Sequence, residues 1–388
     1  MLKEKARAML EGKLIPFWSG LRDDTYGGYY GLLDFDLNLD KTAEKGCILN
    51  SRILWFFSRC AKDLNRADCR EQADHAYAFL RDHCLDREQG GVYWSLTYDG
   101  RPLDSTKHTY NQAFAIYALS AYYDLTGKKE ALDMAFRLFE IIERRCRDED
   151  GYLEAFDRSF RPVSNEKLSE NGVMAERTMN TLLHVFEGYS GLYQVTEDPR
   201  VKNALLEILW IYKNKIYNPE KRRQEVFFDR EYHSLIDLHS YGHDIESSWL
   251  IDWGCALLKE PVVQEAIFAI DQNLAHHILE RAYTGHSVMT ECERGRDDTT
   301  RVWWVQAESV LGFLNAWQKE PDCTAFRDAA LDVWNYIEEI MVDPRPGSEW
   351  FWDVDKDGKP VSRKPIVEPW KCPYHNGRAC LEIIRRDF

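Results

Sequence analysis

The sequence has 388 residues, 44% of them hydrophobic and 30% charged, which is the composition of a globular protein with a large core. Its formal net charge of −15 argues against a nucleic-acid-binding protein, because phosphate contacts require a basic surface. No apolar run approaches the roughly 20 residues that span a bilayer, and the charged start MLKEKARAMLEGKL does not resemble a signal peptide. Ten scattered cysteines without a CxxC pair predict reduced thiols in a cytoplasmic protein.

A short segment that combines aromatic and acidic residues, usually with glycine, recurs along the chain at intervals of roughly 60 to 75 residues. Each copy alternates aromatic and polar residues, as a short β-hairpin does. The copies lie at residues 26–31, 90–94, 151–156, 225–229, 285–289 and 347–352. No linker or low-complexity tract interrupts this pattern, so we predict a single catalytic domain over residues 1–388.

Two helical segments separate successive hairpins. One is amphipathic, as in residues 263–278, where apolar residues form a single stripe. The other is apolar nearly all round, as in residues 112–123 (QAFAIYALSAYY), and such a helix is buried on every side. The alternation predicts an all-α protein, an (α/α)6 barrel of twelve helices with short β-hairpins at one end. We predict the inner helices at residues 47–62, 107–125, 175–195, 243–258, 302–317 and 374–386.

Each predicted inner helix carries polar residues near its N-terminal end, where a buried helix should have none unless they are paired or line a cavity. Asn180 and His184 are four residues apart, as are Trp304 and Glu308, so each pair shares a helix face. If the helices run parallel, these side chains converge at one end of the barrel. The other members of the set are Arg52, Tyr110, Asn111, His243, Glu246, Trp303, Tyr374, His375 and Asn376. Such clustering of titratable groups predicts an active site.

Two kinds of chemistry suit this set of residues. Glu246 and Glu308 are candidates for the carboxylate pair of an inverting glycoside hydrolase. The histidines instead favour proton transfer at the carbon next to a carbonyl, because an imidazole can both accept and donate a proton near pH 7. For an aldose, this chemistry is epimerisation at C2 or aldose–ketose isomerisation.

His239 and His243 have the H-x-x-x-H spacing of a possible metal site. Tyr241 and Gly242 lie between them and are expected to place His239 before the helix begins. The sequence therefore predicts no metal site at these histidines.

Two segments carry a specific resemblance, SYGHDIESSW at residues 240–249 and EPWKCPYHNGR at residues 368–378. They resemble signatures of the N-acylglucosamine 2-epimerase superfamily, and within it most of all the cellobiose 2-epimerase branch. The resemblance covers essentially the whole chain, including Asn50-Ser51-Arg52 and residues 180–184 (NTLLH). It implies reversible conversion of glucose to mannose at the reducing end of a β-1,4-linked disaccharide such as cellobiose or lactose, without a cofactor.

The resemblance also implies roles for individual residues. His243 and His375 would be the acid/base pair that removes and returns the C2 proton, and His375 would also help to open the ring. Arg52 and His184 would hold O1 and O2 and stabilise the cis-enediolate. Glu246 would orient His243 or bind a sugar hydroxyl. The implied stacking residues are Trp249, Trp304 and Trp370, and the implied hydroxyl-binding residues are Tyr110, Asn180 and Glu308.

The expected partner is a small disaccharide, with neither nucleic acid nor membrane, and the expected state is a monomer or a weak homodimer. Four alternatives stay open at this stage: a monosaccharide 2-epimerase, an aldose–ketose isomerase, an inverting glycoside hydrolase and a non-catalytic binding protein.

Overall fold

The segments that are apolar on all sides form a ring of inner helices in the structure, a computed structural model that describes residues 1–169 and 171–386. Numbered along the chain, the twelve helices of the described residues are α1 (residues 2–19), α2 (Cys47–Asp63), α3 (residues 67–84), α4 (Thr109–Thr126), α5 (Lys129–Arg145), α6 (Met179–Thr196), α7 (residues 199–216), α8 (Tyr241–Leu258), α9 (Pro261–Arg281), α10 (Trp303–Lys319), α11 (residues 324–341) and α12 (His375–Arg385). Helices α1, α3, α7 and α11 contain π-helical stretches, at Leu10–Leu14, Leu80–Cys84, Tyr212–Ile216 and Ile337–Met341.

The even-numbered helices form the inner ring and the odd-numbered helices the outer ring. Each inner helix packs against the next, and α12 returns to contact α2, which closes the ring. Helices α3, α5, α7, α9 and α11 each pack on the inner helix that precedes them, whereas α1 packs on α12. The predicted (α/α)6 barrel is therefore confirmed. Within the described part of the chain, no helix is both long enough and apolar enough to cross a membrane.

Short strands connect neighbouring repeats at the end of the barrel where the inner helices begin. Strands that directly precede α2, α4, α6, α8 and α10 pair with strands that follow the next outer helix. A bridge between Leu33 and Val367 joins the first repeat to the last. The strands are β1 (Leu32–Leu33), β2 (Leu39–Asp40), β3 (Lys45–Gly46), β4 (Ser95–Leu96), β5 (Pro102–Asp104), β6 (Lys107–His108), β7 (Ala155–Phe156), β8 (Arg177–Thr178), β9 (Tyr217–Asn218), β10 (Arg223–Gln224), β11 (Phe227–Phe228), β12 (Leu238–Ser240), β13 (Glu291–Glu293), β14 (Arg296–Asp298), β15 (Arg301–Val302) and β16 (Asp353–Val354).

Three predicted inner helices begin too early. Residues 107–108, 177–178 and 302 were assigned to helices by their position in the pattern, but they belong to β6, β8 and β15. The reason is that β6 pairs with β7, β8 with β11 and β15 with β16, so their backbone groups bond to a neighbouring repeat. These pairings fix the residue at which each inner helix starts.

A basic residue stands two positions before most inner helices, and a carboxylate of the preceding hairpin neutralises it in three repeats. We call these contacts the hairpin ion pairs: Lys45–Asp23 at 2.6 Å, Lys107–Asp86 at 3.1 Å and Arg177–Asp148 at 2.6 Å. In the fifth repeat the equivalent cation is Arg301, which is 4% exposed. It contacts the hydroxyls of Thr284 at 3.2 Å and Ser287 at 3.0 Å, and no carboxylate of residues 1–169 or 171–386 forms an ion pair with it.

Candidate active site

The N-terminal ends of the inner helices surround one cavity of about 420 Å³. The strands set the start of each helix, so equivalent helix positions reach the same depth. Arg52, His184 and Glu246, for example, each occupy the sixth position of α2, α6 and α8. Nine of the eleven predicted site residues line the cavity: Arg52, Tyr110, Asn180, His184, His243, Glu246, Trp304, Trp370 and His375.

Trp249 does not line this cavity, although the resemblance implies that it stacks on a sugar ring. It follows Glu246 by three residues and therefore lies nearly one turn deeper in α8. Its indole Nε1 donates to Glu308 Oε2 at 2.9 Å, and the guanidinium of Arg378 lies 4.8 Å from its ring centroid. Because protein groups cover the ring within the barrel, Trp249 is not positioned to stack on a sugar in the cavity.

Glu308 is also absent from the cavity wall, although the resemblance implies that it binds a sugar hydroxyl. Its side chain is fully buried. Oε1 accepts from His375 Nδ1 at 2.6 Å and from Arg378 Nη2 at 2.7 Å, and Oε2 accepts from Trp249. Protein donors thus occupy both oxygens, and the carboxylate contacts a cavity histidine instead of the cavity itself.

His375 begins α12 and faces the cavity. Because Glu308 already accepts from Arg378 with Oε1 and from Trp249 with Oε2, we assign it as the acceptor and His375 Nδ1 as the donor in their hydrogen bond. The lone pair is then on Nε2. Burial is the main cause that lowers the pKa of His375 well below its ordinary value, and the charges of Arg378 and Arg52 add to the effect. At neutral pH this imidazole is uncharged and can act as a base.

His243 approaches the cavity from α8. Its Nδ1 lies 2.7 Å from Ser240 Oγ, and its ring centroid lies 4.8 Å from that of Trp304. The preceding residue, Gly242, makes this packing possible, because a Cβ there would lie 2.5 Å from the Trp304 side chain. Burial lowers the pKa of His243, and His184 lowers it further, so this imidazole is also uncharged at neutral pH.

Arg52 supplies positive charge at the opposite wall. It is 2% exposed, and its Nη2 donates to the Tyr110 hydroxyl at 2.7 Å. The guanidinium lies 4.1 Å from the ring centroid of Phe114 and 4.6 Å from that of Tyr374. No carboxylate among the described residues forms an ion pair with it, so its charge is available to an anion in the cavity.

Glu187, Tyr374 and Arg378 lie directly behind the cavity. Sequence analysis gave no role to Glu187 or Arg378 and included Tyr374 only as a member of the polar set at the ends of the inner helices. Arg378 Nη1 is 2.5 Å from Glu187 Oε1, and Nη2 is 2.5 Å from Glu246 Oε1 and 2.7 Å from Glu308 Oε1. The Tyr374 hydroxyl donates to Glu187 Oε2. We call these five residues the Arg378 cluster. Helical spacing was an available signal, because Glu187 follows His184 by three residues and Arg378 follows His375 by three.

Among the described residues, two groups of side chains have a spacing that could hold a metal ion. Glu246, Glu308 and His375 place ligand atoms within 4.8 Å of one another, but Arg378 already bridges the two carboxylates with its positive charge. The second group, Asp229, Glu231 and His233, lies in a hairpin away from the cavity. His239 belongs to neither group, since its Nε2 lies 2.8 Å from Asp244 Oδ2.

Comparison with known proteins gives concordant matches along the whole chain. The family model of N-acylglucosamine 2-epimerase (GlcNAc 2-epimerase) matches residues 27–379. The cellobiose 2-epimerase of Eubacterium cellulosolvens is 49% identical over 401 residues, which covers 99% of this chain and 98% of the relative. The crystal structure of a sugar epimerase from a ruminal bacterium matches with a TM-score of 0.98 at 46% identity, covering 100% of both chains. Cellobiose 2-epimerase from Bacillus thermoamylovorans B4167 has a TM-score of 0.96 at 42% identity, covering 99% of each chain.

Proposed function

The chain belongs to the N-acylglucosamine 2-epimerase family, and from this premise we propose that it interconverts glucose and mannose at the reducing end of β-1,4-linked disaccharides such as cellobiose and lactose. It is a carbohydrate epimerase, an enzyme of the isomerase class. The choice of a disaccharide as substrate rests on one observation: the chain is 49% identical to a cellobiose 2-epimerase over 99% of its length. The cavity of about 420 Å³ is within the range of small-molecule sites.

The acid/base pair of this proposal is His243 and His375. Both rings face one cavity from different helices, and each has its Nδ1 engaged by a protein group, which leaves Nε2 for the substrate. One neutral imidazole removes the C2 proton of the open-chain sugar. The imidazolium formed in this step can return the proton to the other face of C2 after the intermediate rotates about the C2–C3 bond. In the alternative route the second histidine donates instead, and for this it must already carry a proton on Nε2 as an imidazolium. His375 also assists ring opening.

Removal of the C2 proton places negative charge on O1 and O2 of a cis-enediolate. We assign Arg52 and His184 to hold these oxygens. The supporting observation is that Arg52 is a buried cation whose side chain bonds to Tyr110 and to no carboxylate of the described residues. A fixed charge of this kind stabilises a developing anion more than it stabilises the neutral sugar.

The remaining cavity residues bind the sugar. Asn180 Oδ1 and Glu246 Oε2 are buried and have no hydrogen-bond partner among the described residues, so sugar hydroxyls would satisfy them. The Tyr110 hydroxyl is held by Arg52 and can accept or donate a further bond. Trp304 and Trp370 are half-buried at the cavity wall and offer their faces to the apolar side of a sugar ring.

We further propose that residues 1–388 act as one catalytic domain in the cytoplasm, as a monomer or a weak homodimer, without a metal or an organic cofactor. Glu170, Asp387 and Phe388 lie outside the described residues. Ten unbridged cysteines support a reducing compartment. Exhaustive EDTA treatment should leave activity intact, and loss of activity that one divalent ion restores would contradict the metal-free mechanism.

The decisive experiment follows products by NMR after separate incubation with cellobiose, lactose, mannose and N-acetylglucosamine. Conversion of cellobiose to a disaccharide with mannose at its reducing end is the expected result. Two monosaccharides from cellobiose would indicate a glycoside hydrolase instead. Reaction with mannose or N-acetylglucosamine alone would move the assignment to a monosaccharide epimerase or isomerase, and no reaction with any sugar would favour a binding protein.

A further inference from the structure

The Arg378 cluster draws one charged residue from each of four consecutive inner helices. Glu187 comes from α6, Glu246 from α8, Glu308 from α10 and Arg378 from α12, and all four are at most 1% exposed. Arg378 is the only cation in direct contact with these carboxylates within the described residues. The cluster therefore sits at the axis of the barrel, immediately below the cavity.

Two of the carboxylates connect Arg378 to cavity histidines in the same way. Glu308 Oε1 accepts from both Arg378 Nη2 and His375 Nδ1, at 2.7 and 2.6 Å. Glu187 accepts from Arg378 Nη1 with Oε1 and lies 2.9 Å from His184 Nδ1 with Oε2. Each histidine thus meets the guanidinium through one intervening carboxylate, and in both cases the ring atom engaged is Nδ1.

The chemistry of the guanidinium explains why an arginine suits this position. Its planar fork presents donors in fixed directions and can orient several carboxylates at once, which a lysine ammonium cannot do. A carboxylate held in this way cannot rotate away from its histidine. The neutral imidazole then has its proton on Nδ1 and its lone pair on Nε2.

The charge balance of the cluster argues against a purely structural role. Three buried carboxylates share one guanidinium, whereas packing alone would be served by apolar side chains of similar volume, often with greater stability. Arg378 Nε is also buried without a hydrogen-bond partner in the described residues. Its two Nη atoms bond to the three carboxylates and to the Tyr374 hydroxyl.

We propose that Arg378 is a positioning residue for both His184 and His375: by fixing Glu187 and Glu308, it holds each imidazole as the Nδ1–H tautomer with Nε2 directed to the substrate. The catalytic consequence rests on the proposed epimerase function. The tautomers themselves exist without substrate, so they can be tested separately from activity.

The test uses full-length protein with ¹⁵N-labelled histidine and long-range ¹H–¹⁵N spectra of the ring nitrogens. In the wild type, His184 and His375 should each show a single Nδ1–H tautomer. In Arg378→Gln, at least one of them should become a mixture of tautomers. With cellobiose, kcat should fall about 10- to 100-fold, the range typical of lost partners that orient a functional histidine, while KM changes little.

Arg177→Gln is the matched control, because Arg177 is equally buried and is bound to Asp148 at 2.6 Å in a hairpin ion pair. It should lower stability and leave both tautomers and the turnover of the folded enzyme unchanged. Should Arg378→Gln fail to fold, Arg378→Lys keeps the charge and loses the fork, and the same mixture of tautomers is expected.

Three results would overturn the proposal: an Nε2–H tautomer at His184 or His375 in the wild type, unchanged tautomers in a folded Arg378 variant, or equal tautomer changes in Arg177→Gln. Absence of epimerase activity in the wild type would overturn the proposed function. It would leave the tautomer comparison valid.

Discussion

In each hairpin ion pair, one buried cation contacts a carboxylate of the neighbouring hairpin. Lys45 Nζ, for example, lies 2.6 Å from Asp23 Oδ2. At the centre of the barrel the balance is different. Arg378 contacts three carboxylates, while Arg52, one helix away in the inner ring, forms no ion pair with any described residue. Buried cations and carboxylates are therefore matched in number at the hairpin ion pairs and unmatched at the centre of the barrel.

The difference corresponds to what each region must do. A matched pair satisfies both charges within the protein, so it holds a hairpin against the start of a helix and offers nothing to a ligand. An unmatched charge is costly for the folded state but keeps its field available to a substrate. Substitutions of the cavity histidines should therefore reduce activity with little loss of stability, and substitutions at the hairpins should do the reverse.

The largest effect is expected from the histidines at the centre. His243→Ala and His375→Ala should each reduce kcat with cellobiose by about 10²- to 10⁴-fold, the usual contribution of a general acid/base. Both reaction directions should be affected, because each histidine acts in one direction as base and in the other as acid. Thermal unfolding should stay close to that of the wild type, since neither ring forms an ion pair of the hairpin type.

Deuterium incorporation provides the accompanying measurement. In D₂O the wild type should place deuterium at C2 of the mannose-containing product, because a histidine proton exchanges with solvent. A variant that exchanges the C2 proton of cellobiose without epimerisation would identify the surviving histidine as the base on the glucose face. Near-wild-type turnover in both variants would refute the assignment.

The hairpin counterpart is Lys45→Met, which should destabilise the protein by about 3–5 kcal/mol, as removal of one partner of a buried pair does. Asp23 would be left without its cation, although it still accepts from the backbone N–H groups of Thr25 and Tyr26. Urea unfolding measures the loss, and kcat of the folded enzyme should not change. Lys41→Met is the control, because Lys41 is exposed and its removal should cost no more than about 0.5 kcal/mol.

A smaller effect of opposite sign is expected in the fifth hairpin, where Thr284 takes the place of the carboxylate opposite Arg301. Thr284→Asp should raise the free energy of unfolding by about 1 kcal/mol, because it gives a buried guanidinium a charged acceptor at a partly solvated position. Thr284→Asn, which has nearly the same shape without the charge, should not stabilise. Equal stability of the two variants would mean that the hydroxyls already satisfy Arg301.

The sequence was sufficient for the fold and for half of the residues that line the cavity. The all-apolar helices repeat six times, so α2 was predicted at residues 47–62 and observed at Cys47–Asp63. Helical spacing also identified the face on which His184 and His243 lie. Both predictions depend on local periodicity, which a single sequence records.

The depth of a side chain below the cavity, and contacts between residues far apart in the sequence, were not predictable in this way. The resemblance implied that Trp249 contacts the sugar, but a single sequence does not show where the cavity ends, and the Arg378 cluster covers Trp249. Arg378 and Glu187 are 191 residues apart, and their contact exists only because the ring of helices closes. A prediction from one sequence had no signal for such a pairing beyond the three-residue spacing to each histidine.

The smallest expected effect concerns pH and again separates the two regions. Burial, reinforced by neighbouring positive charge at His375, holds the pKa of His243 and His375 below the ordinary imidazole value of about 6.5. Arg378, Arg52 and His184 face His375 and lower its pKa, and Glu187 opposes them.

The reactive form is the neutral base, and a lowered pKa keeps it neutral as the pH falls. The acid limb of kcat/KM should therefore lie below pH 6.5, so that the value at pH 6.5 exceeds about half of the plateau. A pH–rate profile in a range where the hairpin carboxylates remain ionised makes this measurement. A limb at or above pH 6.5 would show that these histidines are not held neutral by their surroundings.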